Sequence, residues 1–363
     1  MIVTANGSFS MELHLNTFGT FLRKKDDMFE VMVEGKKAMI APNKVSSIII
    51  SNAATMTTDA IQLALDHNID VVFLDKYGSP YARIWFPKIG STVLIRRRQL
   101  ESMTDETGLE FIKLWIALKI MHQCRFMKTL ISKRDYVGEE CRKKTSKITE
   151  YALKVFSAQG TLDELGASFM GWEGSASKLY FSTLGDLIPE NFRFKGRSSH
   201  PAKDAFNAFL NYGYGILYSK VERALVIAGL DPYIGLLHTD NYNKKSFVFD
   251  FIEPYRHFID EPVFHVFSRH KFKPEYVEEV HQGVILSTPG KKFLAPLLLE
   301  HLDTRIRYHN KNRRLLECIQ TDAHAFANFL INRRGGYLDK GLQTKLENFL
   351  GSGDGEIGQE GED

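Results

Sequence analysis

The period of the hydrophobic pattern changes once along this chain, and that change constrains the fold more than any single motif. Up to about residue 86, apolar and polar residues alternate in short runs at 12–15, 18–23, 29–34, 37–41, 45–51, 69–74 and 82–86. Alternation with period two puts one face of a strand on a core. Turn-forming groups at 24–27, 34–36 and 75–78 separate the runs. Thr57, Thr58 and Asp59 offer a cap for one short helix over 60–66. The pattern predicts a small β-sandwich of about six to eight strands with one helix, a packing or dimerisation module with no catalytic cluster.

After Pro87-Lys88-Ile89-Gly90-Ser91 the texture becomes helical. Leu109, Ile112, Trp115, Ile116, Lys119, Ile120, Gln123 and Met127 recur at spacings of three and four, which marks an amphipathic helix. Helical periodicity continues over 144–158, 162–180, 204–229 and 291–334. The fold class is therefore α+β: an N-terminal β-sandwich over 1–87, a linker over 88–100 and a larger all-α domain over 101–345. In the helix over 204–229, Pro201 suits the first turn, and Gly213 and Gly215 predict close packing against another helix. Its other stripe, Asp204, Asn207, Asn211, Tyr214 and Tyr218, faces either solvent or a cleft.

Charge matters here because the formal value, +3, averages two unlike regions. Residues 346–363 contain Glu347, Asp354, Glu356, Glu360, Glu362 and Asp363 among Gly, Ser and Gln, a composition that predicts a disordered acidic tail. The chain has 47 Lys and Arg against 44 Asp and Glu; setting aside the five acids from Gly351 onward leaves +8 for the rest. Between Lys291 and Arg314, seven bases face only Glu300 and Asp303, a local charge of +5, with Tyr308 and His309 interleaved. That is either a polyanion footprint or a solvated helix surface. Arg96-Arg97-Arg98 leaves the same two readings open. Cys124, Cys141 and Cys318 form no metal or disulfide pattern, which fits a reducing cytoplasm. No run approaches the ~20 apolar residues of a membrane helix, and the first residues lack a signal pattern.

Chemistry concentrates in residues 229–256, GLDPYIGLLHTDNYNKKSFVFDFIEPYR. His238 ends an apolar run and reads as a core or helix-end residue before it reads as a ligand. Asp250 and Glu253 sit three apart, which on a helix places both on one face, among Phe247, Val248, Phe249, Phe251 and Ile252. Buried carboxylates need a partner. A bound cation would satisfy both, and an ion pair with Arg256 is the plainer alternative. Pro254 cannot donate to the Asp250 carbonyl, so the helix should kink. Glu173, in MGWEGSASKLYF, reads locally as an ordinary surface acid.

These segments, in this order, resemble the CRISPR-associated endonuclease/integrase family, the catalytic subunit of the spacer-acquisition complex. The resemblance rests on GWEGSASKLYF, DAFNAFLNYGYGIL, GLDPYIGLLH and SFVFDFIEPYR, and spans nearly the whole chain apart from the tail. It implies metal ligation by Glu173, His238 and Glu253, with Asp250 as a supporting neighbour. Many members carry Asp at the position of Glu253. Two carboxylates and an imidazole suit Mg²⁺ or, better, Mn²⁺. The implied reaction is attack of a DNA 3′-hydroxyl on a repeat-boundary phosphodiester, or hydrolysis when water replaces the hydroxyl. Arg256, Lys244, Tyr218 and Asn211 are the candidate DNA contacts. Implied partners are DNA (protospacer and CRISPR repeat), a second copy of the chain through the β-sandwich, and a small ferredoxin-like protein. The alternatives are a DNA-binding scaffold without catalysis and a hydrolase of small phosphoesters.

Overall fold

The computed structural model describes residues 2–5, 11–67, 69–75, 80–84, 92–132, 139–199, 201–238, 244–309 and 311–332. The expected acidic tail, the end of the expected helical domain from residue 333, and most of the 75–78 turn lie outside these residues.

The strand-rich region holds β1 (Ile2–Ala5), β2 (Met11–Leu15), β3 (Thr20–Lys25), β4 (Met28–Val33), β5 (Lys36–Ile40), β6 (Val45–Ile50), β7 (Ala54–Met56), α1 (Thr58–Asp66), β8 (Asp70–Leu74) and β9 (Pro80–Ile84). One sheet has the order β1-β2-β6-β8-β9 and the other β5-β4-β3-β7. Asp26 and Asp27 turn β3 into β4, and Glu34 and Gly35 turn β4 into β5, all four with positive φ. Two-residue loops of this kind match the twist of the strands they join. Leu13, Leu22, Phe29, Val31, Ile48 and Val71 from both sheets bury against Leu63 of α1 in one core. The sandwich expectation holds, with nine strands among the described residues of this region instead of six to eight.

Helices follow: α2 (Thr92–Glu101), α3 (Glu106–Ser132), α4 (Glu139–Ser157), α5 (Leu162–Leu187), α6 (Ala205–Ile227), α7 (Ser246–Phe251) and α8 (His257–Ser268). Then come the hairpin β10 (Val277–Val280) and β11 (Gly283–Leu286), α9 (Thr288–Leu302), the hairpin β12 (Arg305–Tyr308) and β13 (Lys311–Arg314), and α10 (Leu315–Asn332). Two expectations need correction. The expected linker 88–100 is helical from Thr92, where Leu, Arg and Gln are all good helix formers. The basic segment 305–314 is a hairpin within the region expected to be all-α. His309 takes a left-handed conformation at its turn, and Tyr308 and Arg313 of one hairpin face bond Asp322 (2.6 Å) and Thr321 (2.9 Å) of α10.

The chain forms two compact units. One contains Met1–Ser91, Ile188–Gly229 and Phe258–Ala323. In it the Glu12 carboxylate meets Lys220 of α6, while Asp70 meets Arg83 and Arg223, each at 3.4 Å. These buried ion pairs tie the five-stranded sheet to α6. Asp204 caps α6 through the Asn207 N–H at 2.8 Å, so Pro201 precedes the helix instead of starting it. A Cβ at Gly213 would stand 2.5 Å from Ile259 of α8 and 3.2 Å from Leu298 of α9, the close approach that its sequence position predicted.

The other unit contains Thr92–Leu187, Leu230–His257 and His324–Asp363. Its core stacks Trp115 of α3 on Phe247 and Phe251 of α7 and on Phe326 of α10, with ring centroids 5.3–5.8 Å apart. Burying Phe247 and Phe251 on one side of α7 fixes the direction in which Asp250 points.

Candidate metal centre

Glu173, His238, Asp250, Glu253, Arg256 and Lys244 all belong to this second unit. Glu173 lies mid-way along α5. A Cβ at Gly171 or at Gly174, the residue after Glu173, would meet nothing within 4 Å. Ser177, one turn on, donates its hydroxyl to Glu173 Oε1 at 2.9 Å, and Gln123 of α3 donates to Ser177 at 3.3 Å.

His238 hangs from a loop that Gln99 of α2 organises. The Gln99 amide donates to the carbonyls of Asp231 and Ile234 and accepts the Asp231 N–H, each at 2.9 Å. Gly235 permits the tight turn: a Cβ there would stand 2.6 Å from Ser246 Cβ and 2.8 Å from the His238 carbonyl. Asp250 then closes the loop. Its carboxylate accepts the N–H groups of Leu236, Leu237 and His238 and meets His238 Nδ1 at 2.6 Å. This hydrogen bond outweighs partial burial and raises the His238 pKa above its ordinary value. With Nδ1 engaged, Nε2 is the nitrogen left for a ligand.

The shared helix face expected for Asp250 and Glu253 is not kept. Helix α7 stops at Phe251, and Pro254 places Glu253 in a 3₁₀ turn, Glu253–Tyr255. His122 of α3 and His257 both set Nδ1 against the Pro254 carbonyl, at 2.9 and 2.8 Å, and pin that turn. Arg256 grips both Glu253 oxygens, with Nε at 2.9 and 3.0 Å and Nη2 at 2.7 Å. Burial alone would raise the Glu253 carboxyl, but Arg256 and then Lys119 outweigh it and hold the pKa at about 2.

Lys119 is the residue that sequence reasoning missed. Its ammonium is buried, contacts Glu173 Oε1 and lies 2.5 Å from Glu253 Oε2. Burial opposes its charge, yet Glu253 and Glu173 prevail and raise its pKa. Glu173 and Glu253, 80 positions apart in sequence, therefore converge on one cation.

The donor types suit a hard divalent ion: two carboxylates converge on one positive charge, and an imidazole is held through Nδ1. Among the described residues no three His, Cys, Asp or Glu side chains form a group that could hold a metal ion, so the structure does not bring Glu173, His238 and Glu253 together as a formed site. Lys244 is exposed just before α7. Tyr218 and Asn211 lie on α6 in the first unit. The Asn211 amide is engaged by Arg197 at 2.6 Å and by the Ser199 carbonyl at 2.5 Å.

Fold and site together describe an α+β protein with a strand-rich N-terminal region and two acids that converge on one buried lysine. The fold is shared with a casposase bound to its integration product, at TM-score 0.77 and 19% identity, over 93% of this chain and 99% of that one. It is also shared with a chain of a Cas6-RT-Cas1–Cas2 complex, at TM-score 0.74 and 22% identity, over 92% of this chain and 36% of that one. The chain belongs to the Cas1 family: the model of CRISPR associated protein Cas1 matches residues 13–298. A CRISPR-associated endonuclease Cas1 of Archaeoglobus fulgidus is 32% identical over 337 residues, covering 89% of this chain and 97% of that protein.

Proposed function

We propose that this protein is a metal-dependent DNA endonuclease and strand-transfer integrase that inserts new spacers into a CRISPR array. The observation that carries the reading is the convergence of Glu173 and Glu253 on one cation, beside a histidine whose Nδ1 is tied to Asp250. Glu173, His238 and Glu253 would hold Mg²⁺ or Mn²⁺. The bound ion supplies charge neutralisation at a scissile phosphate and polarises the attacking oxygen.

The side chains do the rest. Asp250 keeps the His238 ring in register. Arg256 anchors Glu253 and, with exposed Lys244, offers positive charge to phosphate oxygens. Tyr218 contributes a phenol to the DNA surface, and Asn211 holds Arg197. In strand transfer the incoming 3′-oxygen bonds to phosphorus as the repeat-boundary oxygen leaves, so one phosphodiester replaces another. With water as nucleophile the same step is hydrolysis. Neither needs a Ser or Cys nucleophile.

The family's assemblies extend the reading to partners. A small ferredoxin-like protein and a second copy of this chain complete the complex, and the compartment is the cytoplasm. Exposed Phe18, Met39 and Tyr81 supply apolar contact area for dimerisation through the strand-rich region. No described helix is long and apolar enough to cross a membrane.

Strand transfer by the Glu173→Ala and His238→Ala proteins tests the assignment. Both should fold and neither should join DNA; retained joining refutes it. One observation favours a second reading, a DNA-binding scaffold: Glu173, Asp250 and Glu253 each already have a basic partner. Incubation with branched DNA, with and without Mn²⁺, separates the two, since a scaffold binds without metal-dependent cleavage.

A further inference from the structure

We infer that Lys119 makes metal loading of this centre conditional on DNA: its fixed charge opposes the divalent ion until a phosphodiester enters and balances the site. The inference rests on the metal-site reading above.

Charge balance is the first argument. Glu173, Asp250 and Glu253 supply three negative charges, and Lys119 and Arg256 supply two positive ones. With His238 neutral, as ligation requires, the cluster stands at −1. A divalent ion takes it to +1, and one phosphodiester returns it to zero. Without Lys119 the cluster would stand at −2, and the ion alone would neutralise it. Lys119 therefore removes the protein's own means of balancing the metal and hands that role to the substrate.

Geometry is the second. The Lys119 ammonium lies against Glu173 Oε1 and Glu253 Oε2, on the same carboxylates on which the reading relies for ligation. A lysine on the rim would be screened by water and salt, but Lys119 is 8% exposed and acts at short range through protein. It also has somewhere to go. Lysine is a compact charge on a flexible four-carbon stem, and α5 is open at Gly174, the residue next to Glu173. An ammonium displaced from the carboxylates can stay with the arriving phosphate. Metal and DNA then load together, which guards against free metal in the centre acting on other phosphodiesters.

A lysine that only holds α3 to α5 would behave differently. Its removal would lower stability and leave the dependence of metal affinity on DNA unchanged.

The experiment measures Mn²⁺ affinity by electron paramagnetic resonance, with and without a short DNA duplex carrying a 3′-hydroxyl overhang. The Glu173→Ala protein with the same DNA gives the baseline for ions held by DNA alone. Wild type should bind Mn²⁺ at least about tenfold more tightly with DNA. Lys119→Met should bind Mn²⁺ without DNA at least about tenfold more tightly than wild type and gain little from DNA. Lys119→Arg keeps the charge and should behave as wild type. The inference is overturned if wild-type affinity does not depend on DNA, a result that needs no variant to fold. It is also overturned if Lys119→Met binds Mn²⁺ no more tightly than wild type. If no protein binds Mn²⁺ above baseline under either condition, the ligand assignment itself fails and this inference with it.

Discussion

His238 Nδ1 lies 2.6 Å from Asp250 Oδ1, while the same carboxylate accepts the N–H groups of Leu236 at 2.6 Å, Leu237 at 3.1 Å and His238 at 3.2 Å. One acid thus holds both the ring and the loop that carries it. Asp250→Ala should cost about 3 kcal/mol, because it leaves several buried donors unpaired. Strand transfer should fall roughly 10–100-fold through loss of ring orientation. Urea denaturation and a strand-transfer assay at saturating Mn²⁺ measure the two effects. A loss of stability with undiminished strand transfer would reduce Asp250 to a structural role.

Glu253 is held by a different logic. It is gripped by Arg256 and shared with Lys119, and both cations are largely buried. Glu253→Gln keeps the shape but leaves two cations with less compensation, and removing one partner of a buried pair costs about 3–5 kcal/mol. The loss should appear in metal-free protein as a lower urea midpoint at unchanged m. Equal midpoints would mean that the pair contributes nothing to the fold.

Much of this arrangement was legible in the sequence, and the exceptions share a cause. Alternation located seven strands because each has one face on the core. β1 and β7 escaped because four and three residues are too few to show a period. Pro254 announced the break that sends Asp250 and Glu253 to different partners. Glu173 had no local mark: its partner Lys119 and the acid that shares that lysine, Glu253, are 54 and 80 positions away, and only the ordered family resemblance selected it. Lys119 carried a signal that went unused. A lysine inside an otherwise apolar stripe, one turn before a glutamine, must find an acid once the stripe is buried. The hairpin at 305–314 reads as helix in the sequence because its basic residues hide the alternation of Ile306 and Tyr308.

His14 gives a pH dependence outside the candidate site. It is 4% exposed on β2, and its Nε2 has no hydrogen-bond partner among the described residues, with Glu12 Oε2 3.5 Å away. Burial lowers its pKa from 6.5 to about 4. Above pH 6.5 both folded and unfolded chains are neutral here and nothing changes. As pH falls towards 4 the unfolded chain takes up the proton first, so stability is lost across that window and levels off below it. The loss is about 3 kcal/mol in all. His14→Gln should flatten the fall by that amount in denaturation curves at pH 7 and 4.5. An unchanged slope would show that other groups carry the acid sensitivity.

The β12–β13 hairpin should carry part of the DNA affinity. Its register pairs Arg307 with Asn312 and Ile306 with Arg313. The face with Tyr308 and Arg313 is pinned to α10, so Arg305, Arg307 and Asn312 share the other. Arg314 on that face is already held by Asp303 and Glu317, whereas no ion pair among the described residues engages Arg305, Arg307 or Lys311. Residues two apart on a strand stand about 7 Å apart, a spacing at which two guanidinium groups can each take a phosphate. Arg305→Ala combined with Arg307→Ala should leave the melting temperature unchanged, since both side chains are exposed. The log–log salt slope of duplex binding should become shallower by about 2, with affinity at low salt falling roughly 10–100-fold. Fluorescence anisotropy across a salt series reads both quantities, and an unchanged slope would remove the hairpin from the DNA surface.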